Sequence, residues 1–227
     1  MAATQDRIIQ ALQEKGVLKQ HIYQQTLAVF QQFNEVLQNI ATRTDEAMDE
    51  DSPVEVVYDS QGDFESSLRF SGDTLVFMMH TNVFTFNSEY FIHKSDYIKQ
   101  DPSRAYCGMI LVYNFLSDSL RYNRLSDVGY LIGRIFINKD QHFFVEGRKE
   151  FAFMYNTFSR QPIDEETLQQ IAETAIVHAI DFDLYVPPID VSKKLTVKGK
   201  LQASGLSAIR TGKRVGFEFL REQEQEE

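Results

Sequence analysis

Between residues 54 and 158 aromatic and β-branched side chains come in short bursts: VEVVY from Val54, FESSLRF from Phe64, TLVFMM from Thr74 and NVFTF from Asn82. They are followed by GMILVYNF from Gly108, SLRYN from Ser119, VGYLIGRIFI from Val128 and HFFVEG from His142. Between them lie residues 59–63, Ser71-Gly72-Asp73, Thr81-Asn82, Ser117-Asp118 and Asn138-Lys139-Asp140, residue types that tolerate turn dihedrals or bond their own backbone. One stretch alternates cleanly, with Phe64, Ser66, Leu68 and Phe70 on one side and Glu65, Ser67 and Arg69 on the other. Such a period of two is that of a strand with one wet face. The connectors are too short for parallel crossovers, so the pattern predicts a meandering antiparallel sheet.

On either side of this region the period changes. Residues 4–48 lack Pro, are rich in Gln, Glu, Leu and Ala, and place Ile22, Val29, Phe33, Val36, Leu37 and Ile40 on one helical stripe. Gly16 is expected to divide a short helix over 4–15 from a long one, because Gly weakens a helix interior by about 1 kcal/mol. Gln20, Gln24, Gln25, Gln31, Gln32 and Gln38 form the expected wet face. The helix either covers one face of the sheet or serves as a coiled-coil dimerisation arm, although no a/d repeat persists over three heptads. Acidic residues 45–51 oppose the dipole of a helix C-terminus, which places the expected end before Glu46. Pro53 then forces Ser52 out of helical dihedrals.

Residues 89–104 break the strand rhythm and predict a short helix or irregular excursion, a place where binding groups tend to sit. Pro162, Asp164, Glu165 and Glu166 open a further helix that carries Leu168, Ile171, Ala172, Ala175, Ile176 and Ala179 on one stripe and ends near Ile180. Alternation over 191–201 predicts a further strand with a basic exposed side, 205–212 a loop, 215–220 a last strand or helix, and 222–227 a mobile acidic tail. The chain is thus expected to be α+β, with a helical segment over 1–48, an α+β domain over 54–221, and the tail.

Composition narrows the function classes. A lone Cys107 forms no internal disulfide and suits a reducing compartment. The first residues lack the basic and apolar regions of a signal peptide, and no apolar run approaches the roughly 18 residues of a membrane span, so a cytoplasmic location without membrane contact is expected. The net charge of −10 is uneven: residues 192–221 carry eight basic side chains against Glu218, a local +7, leaving −17 on the remainder. Within that segment Lys193, Lys194, Lys198, Lys200, Arg210, Lys213 and Arg214 are candidate ligands for a phosphate group or nucleic acid, or a contact with the acidic body.

Catalytic patterns are sparse. No HxH, HExxH or Cys/His pair occurs among the five His, and His178 with Asp181 and Asp183 at a helix end is the one local cluster that could be either metal ligands or a cap. A nuclease-like acid and Lys set finds its nearest match in Glu146 and Lys149, with Asp63, Glu65 or Asp73 as the distant acid, one residue out of the required spacing. Residues 211–214 resemble the end of a phosphate loop without its glycines or hydroxyl. Cys107, at the start of an apolar strand, has the setting of a buried structural thiol. No catalytic residue, metal or cofactor is assigned. The reading is a non-catalytic module that recruits a protein partner or a second copy through its N-terminal helix, with phosphate or nucleic-acid binding through 192–221 and a hydrolase or nuclease-like site on the sheet as alternatives. A pocket gathering His80, His93, Glu65, Asp73 or Glu146 would favour the enzyme.

Overall fold

In the computed structural model, which describes residues 2–147 and 155–184, the chain folds as a six-stranded antiparallel sheet with helices packed on one face. The strands are β1 (Val56–Ser60), β2 (Glu65–Phe70), β3 (Asp73–Phe84), β4 (Cys107–Leu116), β5 (Tyr130–Asn138) and β6 (Phe143–Gly147), paired in chain order. This is the predicted meander. The predicted strand over 191–201, the basic residues of 192–221, the last element over 215–220 and the tail all lie outside the described residues.

Two bursts resolve differently from the expectation. Thr81-Asn82 is not a turn, because β3 continues to Phe84 through an irregularity after His80. There the Asn82 amide donates to His80 Nδ1 (3.0 Å), so a side chain satisfies a backbone group that the ladder leaves open. Residues 119–123 form the end of a short helix and the turn after it instead of a strand: α4 (Ser117–Arg121) has Asp118 in its first turn, and the Ser119 hydroxyl donates to Asp127 Oδ2 (2.7 Å).

At the N-terminus, α1 (Ala2–Ala11) passes through a π-helical turn (Leu12–Gly16) directly into α2 (Val17–Ala47). Gly16 therefore marks a change in winding, not a division between helices. Nor does the acidic run end α2 before Glu46. The helix reaches Ala47, and the Asp45 carboxylate is used to accept the Val56 amide at 3.2 Å, tying the helix end to the edge strand. The buried stripe of α2 is Ile22, Thr26, Val29, Phe30, Phe33, Val36, Leu37 and Ala41, and the predicted Gln positions are exposed except Gln25, which reaches Gln141.

The final described helix, α5 (Glu165–Ile180), starts at Asp164, whose side chain accepts the Thr167 amide at 2.9 Å. That bond and the Thr167 hydroxyl hold the Asp164 carboxyl below its ordinary range. Ala172, Ala175 and Ala179 let α5 approach the neighbouring layer closely, and Leu168 and Ile171 fill the core with Phe77, Ile110, Ile135 and Val145 from the sheet. At the centre, the rings of Phe33 and Phe77 meet edge to face at 5.1 Å.

The opposite face of the sheet is covered at one end by the polar excursion, which folds as a 3₁₀ turn (Phe91–Lys94), α3 (Asp96–Gln100) and a second 3₁₀ turn (Pro102–Ala105). Its anchor is aromatic. Phe86, Tyr90 and Phe91 pack on Phe136 and Phe144, which stack at 4.8 Å, together with Ile92, Ile98 and Cys107. Along β6 the outer edge is partly capped, with Val145 N donating to Tyr155 O and Ser159 N to Phe143 O, each at 2.8 Å.

Candidate interaction surface

Three places in the fold bear on function: the scattered acids and imidazoles, a polar clamp at the β5–β6 turn, and the first turns of the N-terminal helix.

The acids and imidazoles do not converge. Register places Glu65, Met78, Leu111, Arg134 and Glu146 in one row across β2 to β6. At about 4.8 Å per strand, Glu65 and Glu146 are roughly 19 Å apart. Glu146 is paired with Arg134 on the adjacent strand. Asp73 and His80 occupy opposite ends of the same pairing along β3, seven residues and roughly 24 Å from one another. His93 Nε2 donates to Phe86 O (3.3 Å), an internal stitch of the excursion. Lys149 lies outside the described residues, as do Lys193, Lys194, Lys198, Lys200, Arg210, Lys213 and Arg214. Among the described residues no three His, Cys, Asp or Glu side chains gather closely enough to hold a metal ion, those of His178, Asp181 and Asp183 included.

A denser polar group holds the excursion to the β5–β6 turn. Buried Asn138 accepts the amides of Asp140 (2.9 Å) and His142 (3.1 Å), fixing a turn in which Gln141 adopts φ 58°. Asp140 then accepts both the Tyr97 hydroxyl (3.0 Å) and Arg104 Nε (2.9 Å). The guanidinium lies 4.3 Å from the Tyr97 ring centre, and the His142 ring stacks on the same tyrosine at 5.1 Å and 5°. Burial pushes the Tyr97 phenol up to about 12, opposed by the hydrogen bond from Asn138 and aided by the one to Asp140, so at neutral pH it is a donor and not a base. Beside it Lys139 pairs with Asp101, whose carboxyl is drawn down to about 2 by that ammonium and then by Ser103. Every charge in the group has an opposite partner, which is the arrangement of a clamp. Cys107, fully buried under the same excursion, has its thiol pushed up by desolvation and no adjacent base.

The third place is the arm. Residues 4–15 are all exposed, and the first fully buried side chain of the long helix is Ile22. The helix meets the body where Lys15 Nζ sits 5.7 Å over the Tyr106 ring and His21 Nε2 donates to Lys139 O at 3.2 Å. N-terminal to that, about thirteen residues at 1.5 Å each extend roughly 20 Å from the body. On this extension Ile8 (56 % exposed), Ile9 and Leu12 (62 %) are uncovered, as is Val17 (62 %) just past the Lys15 contact. Ile8 and Leu12 share a face at four residues' spacing. Five residues on, Val17 would be turned away by about 140° in a regular α-helix. The π turn corrects this, with Val17 N–H bonding Leu12 O five residues back, so that Val17 returns to the side of Leu12. Gln10 and Glu14 bond each other (2.9 Å) on the wet side.

This divides the dimerisation-arm expectation. From Ile22 to Ala41 the apolar stripe is occupied by the chain's own core, whereas nothing among the described residues covers the exposed apolar side chains of Ile8, Ile9, Leu12 and Val17. Compared with family models, with curated proteins and with solved structures, the chain matches none. Among the described residues, no helix is long and apolar enough to cross a membrane.

Proposed function

We propose that the chain is a non-catalytic interaction module that self-associates through its projecting N-terminal helix. The observation that carries the reading is the uncovered stripe of Ile8, Ile9, Leu12 and Val17 on a helix standing clear of the body. Isolated exposed apolar side chains are ordinary, whereas a contiguous stripe rimmed by Gln, Glu and Lys has the composition of a helical contact surface. The winding supports it as well, because a π turn replaces regular hydrogen bonding and its effect is to keep Val17 in line.

The test is gel filtration with light scattering on the full chain and on the double variant Ile8→Gln, Leu12→Gln. The wild type is expected above the mass of one copy and the variant at one copy, with the same thermal melt, since neither side chain is buried in the monomer. A wild-type chain that stays at one copy up to its solubility limit overturns the proposal.

A further inference from the structure

The sheet has two edges, and the chain treats them differently. Beside β6, the segment with Tyr155 and Ser159 takes up main-chain bonds of Val145 and Phe143. Beside β1 no further strand lies among the described residues. Which groups of β1 face outward follows from its register. Gln61 N donates to Glu65 O at 2.8 Å, so Gln61 faces β2, and with a period of two Asp59 and Val57 do the same, opposite Ser67 and Arg69. Val56, Tyr58 and Ser60 therefore turn their amides and carbonyls away from the sheet. Asp45 agrees with this, since the amide it accepts is that of Val56. The main-chain groups of Tyr58 and Ser60 have no partner among the described residues.

An open edge is a template for another strand, and proteins commonly guard it with Lys or Pro. This edge carries neither. Residues 45–63 hold eight Asp and Glu and no Lys or Arg, a local −8. Along β1 the side chains sort by face: Val56 and Tyr58 pack toward the core, while Glu55, Val57 (38 % exposed) and Asp59 alternate with them on the other side. Arg69 of β2 meets Glu55 at the surface (3.4 Å), so a guanidinium already fits beside this row.

We infer that β1 takes up an extended, basic segment of a partner protein as a seventh strand. Lys or Arg of that segment lies across from Glu55 and Asp59, an apolar side chain across from Val57, and β-branched or apolar residues beside Val56 and Tyr58. Main-chain bonds to Tyr58 and Ser60 supply attachment, and the acidic row selects the partner. A second copy offering its own β1 would set like charges opposite each other, which disfavours edge-to-edge pairing of copies. Asp45 already holds the first outward amide, so the contact is short, below the roughly 1,200 Å² at which stable interfaces begin, and reversible. This goes beyond self-association: the arm joins copies, and the edge holds a different protein.

The test is fluorescence anisotropy of a labelled peptide, Thr-Lys-Val-Val-Thr-Lys-Val, titrated with the full chain, beside the same peptide with Glu for Lys. Only the Lys peptide is expected to bind, and more weakly as salt rises to about 0.5 M. Ser60→Pro removes an outward amide and leaves the β2 ladder intact, and is expected to weaken binding at least about tenfold, whereas Ser60→Ala binds like wild type. Asp59→Lys weakens it about 3–10-fold. Circular dichroism melts establish that each variant is folded; if Ser60→Pro melts early, Asp59→Lys decides. The arm variant Ile8→Gln, Leu12→Gln binds like wild type, so this result and the self-association result are separate. Binding of both peptides alike, no binding to wild type, or undiminished binding to folded Ser60→Pro or Asp59→Lys overturns the inference. Two outcomes replace the partner with another occupant and also overturn it. One is tenfold tighter binding by the full chain with Lys193→Gln, Lys194→Gln, Lys198→Gln and Lys200→Gln, which assigns the edge to the chain's own basic segment. The other is a fall in the mass of wild type on Ser60→Pro, which assigns it to a second copy.

Discussion

Replacing Gly108 by Ala tests the seat of the long helix on the sheet. Gly108 lies in β4 opposite Ile137, directly beneath Thr26 of α2. A Cβ at this position would meet Thr26 Oγ1 at 2.0 Å, Cβ at 2.7 Å and Cγ2 at 2.8 Å. Rotating Thr26 moves Oγ1 and Cγ2, but its Cβ is fixed to the helix backbone, so α2 itself must lift. Thr26 is fully buried, and its hydroxyl bonds Ile22 O (2.8 Å), so the displacement propagates into the helix. Overpacking typically costs about 1–3 kcal/mol, and a clash with a Cβ that no side-chain rotation can move puts this case in the upper half of that range. In a chain of this size, 2–3 kcal/mol lowers Tm by about 4–12 °C. Thr26→Gly alone loses packing and helix propensity, about 1–2 kcal/mol. Combined with Gly108→Ala it removes the obstructing atoms, so the double variant is expected to be more stable than the sum of the singles by about 1–3 kcal/mol. Urea denaturation of the four proteins measures the cycle. Additivity within about 0.5 kcal/mol would show that α2 does not rest on Gly108.

Three further outcomes follow from the clamp and the aromatic cluster. Asp101 has its carboxyl at about 2 when folded against an ordinary 3.8, so its contribution is present above about pH 4 and lost as pH falls through 2. The Tm difference between wild type and Asp101→Asn is therefore expected to be constant from neutrality to about pH 5 and to close between about pH 4 and 2; a difference that vanishes near neutrality refutes the assignment. Asp140→Ala leaves Arg104 and the Tyr97 hydroxyl without their acceptor and is expected to destabilise by about 1–3 kcal/mol and to speed proteolysis within residues 86–106; unchanged cleavage there would contradict the clamp. Cys107 is fully buried, so a thiol reagent should label nothing in the native chain and one thiol in denaturant, and rapid native labelling would place the excursion off the sheet.

Much of this fold was legible because its signals are local. Alternation in 64–70 and short connectors are enough to specify an antiparallel meander, and the apolar stripe from Ile22 onward identifies the face of α2 that the sheet covers. Asp164 with the acids behind it marked the start of α5. What failed depended on partners distant in sequence. Thr81-Asn82 reads as a turn unless His80 is known to serve the Asn82 amide, and the acidic end of α2 reads as a stop until Asp45 is seen to hold Val56. The clamp joins Tyr97 and Arg104 to Asp140 across gaps of 43 and 36 residues, which no spacing in the sequence encodes. The free stripe was hidden differently. Val17 is out of phase with Ile8 and Leu12 for an α-helix and falls into line only through the π turn, for which Gly16 is the single visible hint.

The unbroken winding from Ala2 to Ala47 also determines what a contact at the tip transmits. A glycine-serine tether would hold a neighbour nearby at any angle. Here Leu12 and Phe33 belong to one rod, so the ring-on-ring seat at Phe77 fixes the bearing of the tip. On the proposed self-association, a neighbour gripped there would be aimed as well as retained, and the separation between bodies would be a fixed length, not an average.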